Sequence, residues 1–163
     1  MNLRIILGNQ LFPHYYYQND DHIFMCESYD LCTHYKYHKH KIIFFLSSMR
    51  HYAEELRALK DKHVYYCKLQ EKKEFFEQLK TFLSKSKYQK IKIYEIEDKF
   101  FEAHMHSFCH EEGIELEVNK SPMFLVSRGE FQEYLKSTKK PFMKTFYEGL
   151  RKTTGILMDN GSP

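Results

Sequence analysis

Short apolar runs alternate along this chain with longer amphipathic stretches, and few architectures accommodate that alternation. Apart from Arg4, Leu3 to Leu7 is apolar and ends at Gly8-Asn9-Gln10, as a strand buried on both faces and closed by a turn would. His22 to Cys26, Val64 to Cys67, Lys90 to Ile96 and Ile114 to Val118 read as further strands. Between them, apolar residues recur at helical spacing. Ile42, Phe45, Leu46, Met49, Tyr52, Ala53 and Leu56 form one stripe, which predicts a long helix over 33–60. Phe75, Phe76, Leu79, Phe82 and Leu83 predict a second over 71–84, and 98–112 reads as a third, stopped by Gly113. Strands separated by helices cannot pair as hairpins, so parallel pairing through crossover connections follows. The expectation is an α/β fold: a doubly wound, mostly parallel five-stranded sheet, Rossmann-like or flavodoxin-like, with helices on both faces.

Beyond Ser121-Pro122 the pattern changes. Ser127 is placed to cap a helix over 128–135, and 141–152 forms another amphipathic helix. We therefore expect an α/β domain over 1–126 and a helical extension over 127–163. The run from Thr153 to Pro163 has no element to close and resembles a linker toward a further domain.

At 163 residues with 42% hydrophobic composition, the chain has enough apolar surface for one sizeable core. No run of about 18 apolar residues is present, and the opening apolar stretch is too short for a signal peptide, so a cytoplasmic protein without membrane partners is expected. Cys26, Cys32, Cys67 and Cys109 lack the dense spacing of a disulfide framework and read as buried free thiols. A formal charge of +3 is too small to announce a nucleic-acid binder.

In open α/β sheets, ligands gather outside the carboxyl ends of the strands. Those ends here carry Gly8, Asn9 and Gln10, then Cys26, Glu27 and Ser28, then Lys68, then Glu95, Glu97 and Asp98. An amide-and-carboxylate set suits an uncharged heterocycle, with Gly8 admitting close approach and Glu27 accepting hydrogen bonds; the bland alternative is a strand-ending turn. Neither G-x-G-x-x-G nor a P-loop pattern occurs. The segment 32–41 is dense in Lys, His and Tyr. Were it helical, His34 and His38 would share a face at metal-chelating spacing, but no third ligand is evident, and a solvated basic helix start is preferred. Ser47, Ser48, Arg50 and His51 have only Glu54 and Glu55 of the same helix as candidate orienters, which disfavours a hydrolase. Lys36, Lys39, Lys41 and Arg50 leave nucleic-acid binding as a third option.

Several motifs taken in order are more specific. Leu7-Gly8-Asn9-Gln10-Leu11, His38-Lys39-His40-Lys41-Ile42, Leu46 to Leu56, Phe124 to Phe131 and Met143 to Asp159 together resemble the bacterial photolyase-related proteins, the iron–sulfur branch of the photolyase/cryptochrome family. The resemblance spans essentially the whole chain. It implies an N-terminal, antenna-type domain, with FAD and a 4Fe-4S cluster held by a separate helical C-terminal domain that repairs (6-4) photoproducts in DNA or signals in response to light. The four cysteines of this chain would not be the cluster ligands.

The same resemblance implies that this domain holds 6,7-dimethyl-8-ribityllumazine, with Gly8, Asn9, Gln10, Cys26, Glu27, Lys41 and Phe45 matching its pocket. Three departures stand out: Asn9 where relatives carry aspartate, Leu31 where they can carry glutamate, and Phe45 where an aliphatic residue is frequent. The Pro-Gly-Glu-Trp signature becomes Ile96-Glu97-Asp98-Lys99. No catalytic and no metal-ligating residue is expected in this chain, and DNA is expected as a partner only of the full-length protein. The competing reading is an interaction domain with an empty pocket, docking a helical partner or self-associating through Phe142, Phe146, Leu150, Ile156 and Leu157.

Overall fold

The computed structural model describes residues 1–20, 22–159 and 161–162, so the terminal run read as a linker falls partly outside the described residues. The chain divides into two compact units, Met1–Lys120 and Ser121–Pro163.

The first unit is an α/β sandwich. Its strands are β1 (Asn2–Ile5), β2 (His22–Cys26), β3 (His63–Cys67), β4 (Lys90–Tyr94) and β5 (Glu115–Asn119). They form one sheet in the order β3-β2-β1-β4-β5, and every pairing is parallel. The helices are α1 (Tyr29–Thr33), α2 (Lys39–Ala58), α3 (Phe75–Leu83) and α4 (Lys99–Glu111). Successive strand side chains alternate between faces, and each face has its own core. Leu3, Ile5, Phe24, Ile91 and Ile93 pack with Phe75 and Leu79 of α3 and Met105 and Phe108 of α4. Ile6, Ile23, Met25 and Tyr94 pack on the other face with Met49, Tyr52, Ala53 and Leu56 of α2 and with Tyr17 of a 3-10 turn, His14–Tyr17. Full burial of a side chain such as Phe24 contributes roughly 1.5–3 kcal/mol, so the two-sided β1 and β2 hold the unit together.

One buried ion pair interrupts the second core. The Arg4 guanidinium donates to Asp20 at 2.8 Å and to Asn119 at 2.9 Å, while Lys92 lies 3.4 Å from the same Asp20. The Arg4 guanidinium also lies 4.9 Å from the Tyr94 ring centroid.

The long helix expected over 33–60 begins only at Lys39, and a separate short helix precedes it. α1 ends at Thr33, and the chain leaves helical hydrogen bonding before His38, whose ring Nδ1 accepts from the His40 N–H at 3.2 Å and caps α2. Capping competes locally with helix continuation, and here it wins although neither Gly nor Pro marks the break. His34 and His38 therefore lie on either side of a helix boundary and share no helical face. The cysteine expectation also needs correction: all four are free, but only Cys26 and Cys109 are buried, with Cys32 and Cys67 half-buried.

The second unit carries α5 (Arg128–Ser137) and α6 (Met143–Thr154). Ser127 and Glu130 form a reciprocal capping box at the start of α5, as the spacing predicts. Phe146 packs on Phe131 and Tyr134, with ring centroids 5.2 and 4.9 Å apart, and is half-buried as Leu150 is. Of the residues expected to be exposed here, Phe142, Ile156 and Leu157 are.

Candidate functional site

With strand order 3-2-1-4-5, the connections leaving β1 and β4 diverge to opposite sides of the sheet, which opens a crevice over their carboxyl ends. A cavity of about 310 Å³ occupies that place. Its floor is Leu7, Gly8 and Asn9 after β1, Cys26, Glu27 and Ser28 after β2, and Ile96 after β4. Its walls are largely aromatic: Phe45 of α2, Phe75 at the start of α3, Phe101 in the first turn of α4, and Tyr37 between α1 and α2. An apolar notch of about 170 Å³ shares Leu31, Cys32, Tyr37, Phe45 and Leu46 with it and adds Lys41 and Ile42.

The two best-placed polar groups are not free to serve a ligand. The Glu27 carboxylate is fully buried and accepts four hydrogen bonds: Arg50 Nε at 2.5 Å, Arg50 Nη2 at 2.8 Å, the Tyr66 hydroxyl at 2.6 Å and the Leu69 N–H at 2.8 Å. Burial alone would push this carboxyl up, yet the bonds from Arg50, Tyr66 and Leu69 together hold it below the usual carboxylate range. Glu27 thus ties the end of β2 to α2 and to the segment after β3. Gln10 is buried away from the cavity: its side-chain amide donates to the Glu95 carbonyl at 2.9 Å, and its backbone carbonyl accepts from the Tyr17 hydroxyl at 2.6 Å.

Gly8 is closely approached by side chains of α2. A Cβ built there would lie 2.7 Å from Met49 Sδ and 2.7 Å from Phe45 Cε1, so the close approach that glycine permits is made by α2. Asn9 is exposed on the rim, and its amide donates to Glu97 at 3.3 Å. Asp98 caps α4, accepting from the Phe100 and Phe101 N–H groups at 2.9 Å each. Lys41 sits in the notch, its Nζ 4.7 Å from the Tyr37 ring centroid.

Of the residues singled out from the sequence, Gly8, Asn9, Cys26, Glu27 and Phe45 line the cavity, Lys41 lines only the adjoining notch, and Gln10 lines neither. Tyr37, Met49, Phe75 and Phe101 were missed as lining residues. Phe75 and Phe101 each stand in the first turn of the helix that follows a strand, the place where a crevice at strand ends is walled, and that signal was readable. Among the described residues no cluster of three His, Cys, Asp or Glu side chains is arranged to hold a metal ion. No described helix is long and apolar enough to cross a membrane.

The family model of the deoxyribodipyrimidine photo-lyase-related proteins matches residues 4–163. The chain belongs to this family. It is also 30% identical over 169 aligned residues to a (6-4) photolyase of Agrobacterium fabrum (strain C58 / ATCC 33970). That alignment takes in 99% of this chain and 33% of the relative, so this photolyase-related chain spans about a third of the length of the enzyme it resembles.

Proposed function

We propose that this chain is the antenna-type domain of a photolyase-like flavoprotein of the iron–sulfur branch and holds a flat heterocyclic chromophore, of the 6,7-dimethyl-8-ribityllumazine class, at the carboxyl ends of β1, β2 and β4. The observation that carries the reading is the aromatic-walled cavity of about 310 Å³ at the point where strand order reverses, in a chain of the photolyase-related family. Its volume stands at the lower end of the roughly 300–1,000 Å³ of small-molecule sites, enough for one fused ring system. The residues fit such a group through stacking surfaces more than through hydrogen bonds. Phe45, Phe75, Phe101 and Tyr37 would enclose the ring plane, while Asn9 on the rim and Ser28 on the floor would meet its polar edge. When bound, the chromophore supplies light absorption and passes excitation energy to a flavin. The chain's own residues hold it at a fixed orientation and exclude water, and in that role none of them makes or breaks a bond. FAD, a 4Fe-4S cluster, repair of DNA photoproducts and light signalling belong, in this reading, to the full-length protein.

The test is a titration of the purified chain with 6,7-dimethyl-8-ribityllumazine, followed by near-ultraviolet absorbance and fluorescence anisotropy. Saturable binding at one site per chain, altered by Phe45→Leu, supports the proposal. Free-ligand anisotropy at high protein concentration overturns it.

A further inference from the structure

Cys26 and Cys67 are register partners on the neighbouring parallel strands β2 and β3. Adjacent strands lie about 4.8 Å apart, inside the range of Cα separations of roughly 4.4–6.8 Å that a disulfide spans. Both side chains face the α3/α4 core, where Cys26 is buried and Cys67 packs against it. Cys26 also lines the cavity, and Cys67 is half-buried at the same end of the sheet. Neither sulfur is used by the proposed chromophore chemistry.

We propose that Cys26 and Cys67 form a redox-active dithiol that hydroperoxides convert into a cross-strand disulfide. Cys67 is the attacking sulfur. Interaction with Cys26, together with Tyr65 and the positive charge of Lys85, outweighs burial and lowers its pKa, whereas the Cys26 thiol, which donates to the Glu27 carbonyl at 3.5 Å, is pushed up by its interaction with Cys67 and by burial. The Cys67 thiolate attacks one oxygen of hydrogen peroxide; the O–O bond breaks, hydroxide leaves and takes up a proton to become water, and Cys67 is left as a sulfenic acid. The Cys26 sulfur gives up its proton and attacks the sulfenic sulfur, and the S–O bond breaks with loss of a second water. Two thiols and one peroxide thus become one disulfide and two waters.

Side chains paired across parallel strands stand further apart than the Cβ separation of about 3.8 Å usual in a disulfide, so closing the bond draws β2 and β3 together. A bridge formed under that constraint is readily reduced, which suits a reversible switch rather than a permanent staple. Closure turns the Cys26 sulfur from the cavity floor toward β3. Oxidation therefore acts on the floor of the proposed chromophore site, but the dithiol chemistry itself does not depend on any ligand.

The test treats the reduced chain with hydrogen peroxide, removes the oxidant with catalase, then denatures and alkylates with N-ethylmaleimide. Two of the four cysteines are expected to be alkylated, with a tryptic peptide joining Cys26 to Cys67 and all four thiols restored by dithiothreitol. Cys109→Ser is expected to leave the cross-link intact, and Cys67→Ser to abolish it while Cys26 remains alkylatable. Full alkylation of all four thiols, a bridge involving Cys32 or Cys109, a bridge between two chains, or irreversible oxidation without a bridge overturns the proposal. Because no chromophore is added, failure here leaves the antenna reading standing, and failure of the lumazine titration leaves the dithiol standing.

Discussion

Replacing Glu27 with glutamine keeps its shape but turns one acceptor into a donor. Two of the four partners, Leu69 N–H and Arg50 Nη2, bond the Oε2 atom, and the Arg50 Nε and Tyr66 hydroxyl bond Oε1. A glutamine oxygen in the Oε1 position retains the second pair and sets its NH₂ against the first. The Arg50 side chain is 49% exposed, so water recovers most of that loss. The Leu69 N–H bond is part-buried on a residue that is 39% exposed, so its loss costs at the low end of the roughly 1–3 kcal/mol of an unsatisfied buried donor. The expected destabilisation for Glu27→Gln is therefore about 1 kcal/mol, which lowers Tm by about 2–4 °C for a chain of this size. Glu27→Ala, which strands all four donors and opens a void, should cost about 3–4 kcal/mol. Because the chain has no Trp, urea unfolding is followed by far-ultraviolet circular dichroism. The pH dependence carries a second signature. The carboxyl is depressed in the folded state, so its contribution is present above the ordinary carboxylate pKa of about 4.3 and is lost as pH falls through the lower folded value. The gap between wild type and Glu27→Gln should therefore close on acidification. A Glu27→Gln protein as stable as wild type at neutral pH, or a gap that stays constant into acid, would refute the assignment of Glu27 as a tie between β2, α2 and the segment after β3.

Gly8→Ala forces Met49 and Phe45 away from a Cβ that would stand 2.7 Å from each, and such overpacking typically costs about 1–3 kcal/mol; combining it with Phe45→Ala should cost less than the sum of the two single changes in a urea double-mutant cycle. Arg4→Met leaves the buried Asp20 with Lys92 as its remaining cation, and a loss of about 3–5 kcal/mol is expected by chemical denaturation. Ser127→Ala removes the capping box of α5 and should cost that unit about 1 kcal/mol, read as weaker amide protection in α5 by hydrogen exchange.

β2 was legible because burial on both faces leaves a continuous apolar run from Ile23 to Cys26, and β1 because only Arg4 interrupts such a run between Leu3 and Leu7. The start of α4 was legible through Asp98 and that of α5 through Ser127, since both caps use side chains that advertise themselves. The break between α1 and α2 was not, because His38 caps through a ring nitrogen, which is outside the usual capping alphabet. At the site, the sequence located the strand ends but not the destination of each polar group. Glu27 meets Arg50 across 23 residues and Tyr66 across 39, and Gln10 reaches the Glu95 carbonyl across 85; only the assembled sheet brings those partners together. Phe45, read from the sequence as a departure from a frequent aliphatic residue, stands over Gly8 and lines the crevice from the α2 side.

The central claim is that a flat heterocycle enters over the carboxyl ends of β1, β2 and β4. Backbone amide NMR of the chain, recorded with increasing 6,7-dimethyl-8-ribityllumazine, addresses it residue by residue. The account predicts shifts concentrated at Gly8, Asn9, Ser28, Phe45, Phe75 and Phe101, with ring-current displacement of the aromatic wall. Shifts confined to α5 and α6, or an unchanged spectrum at saturating ligand, would contradict it.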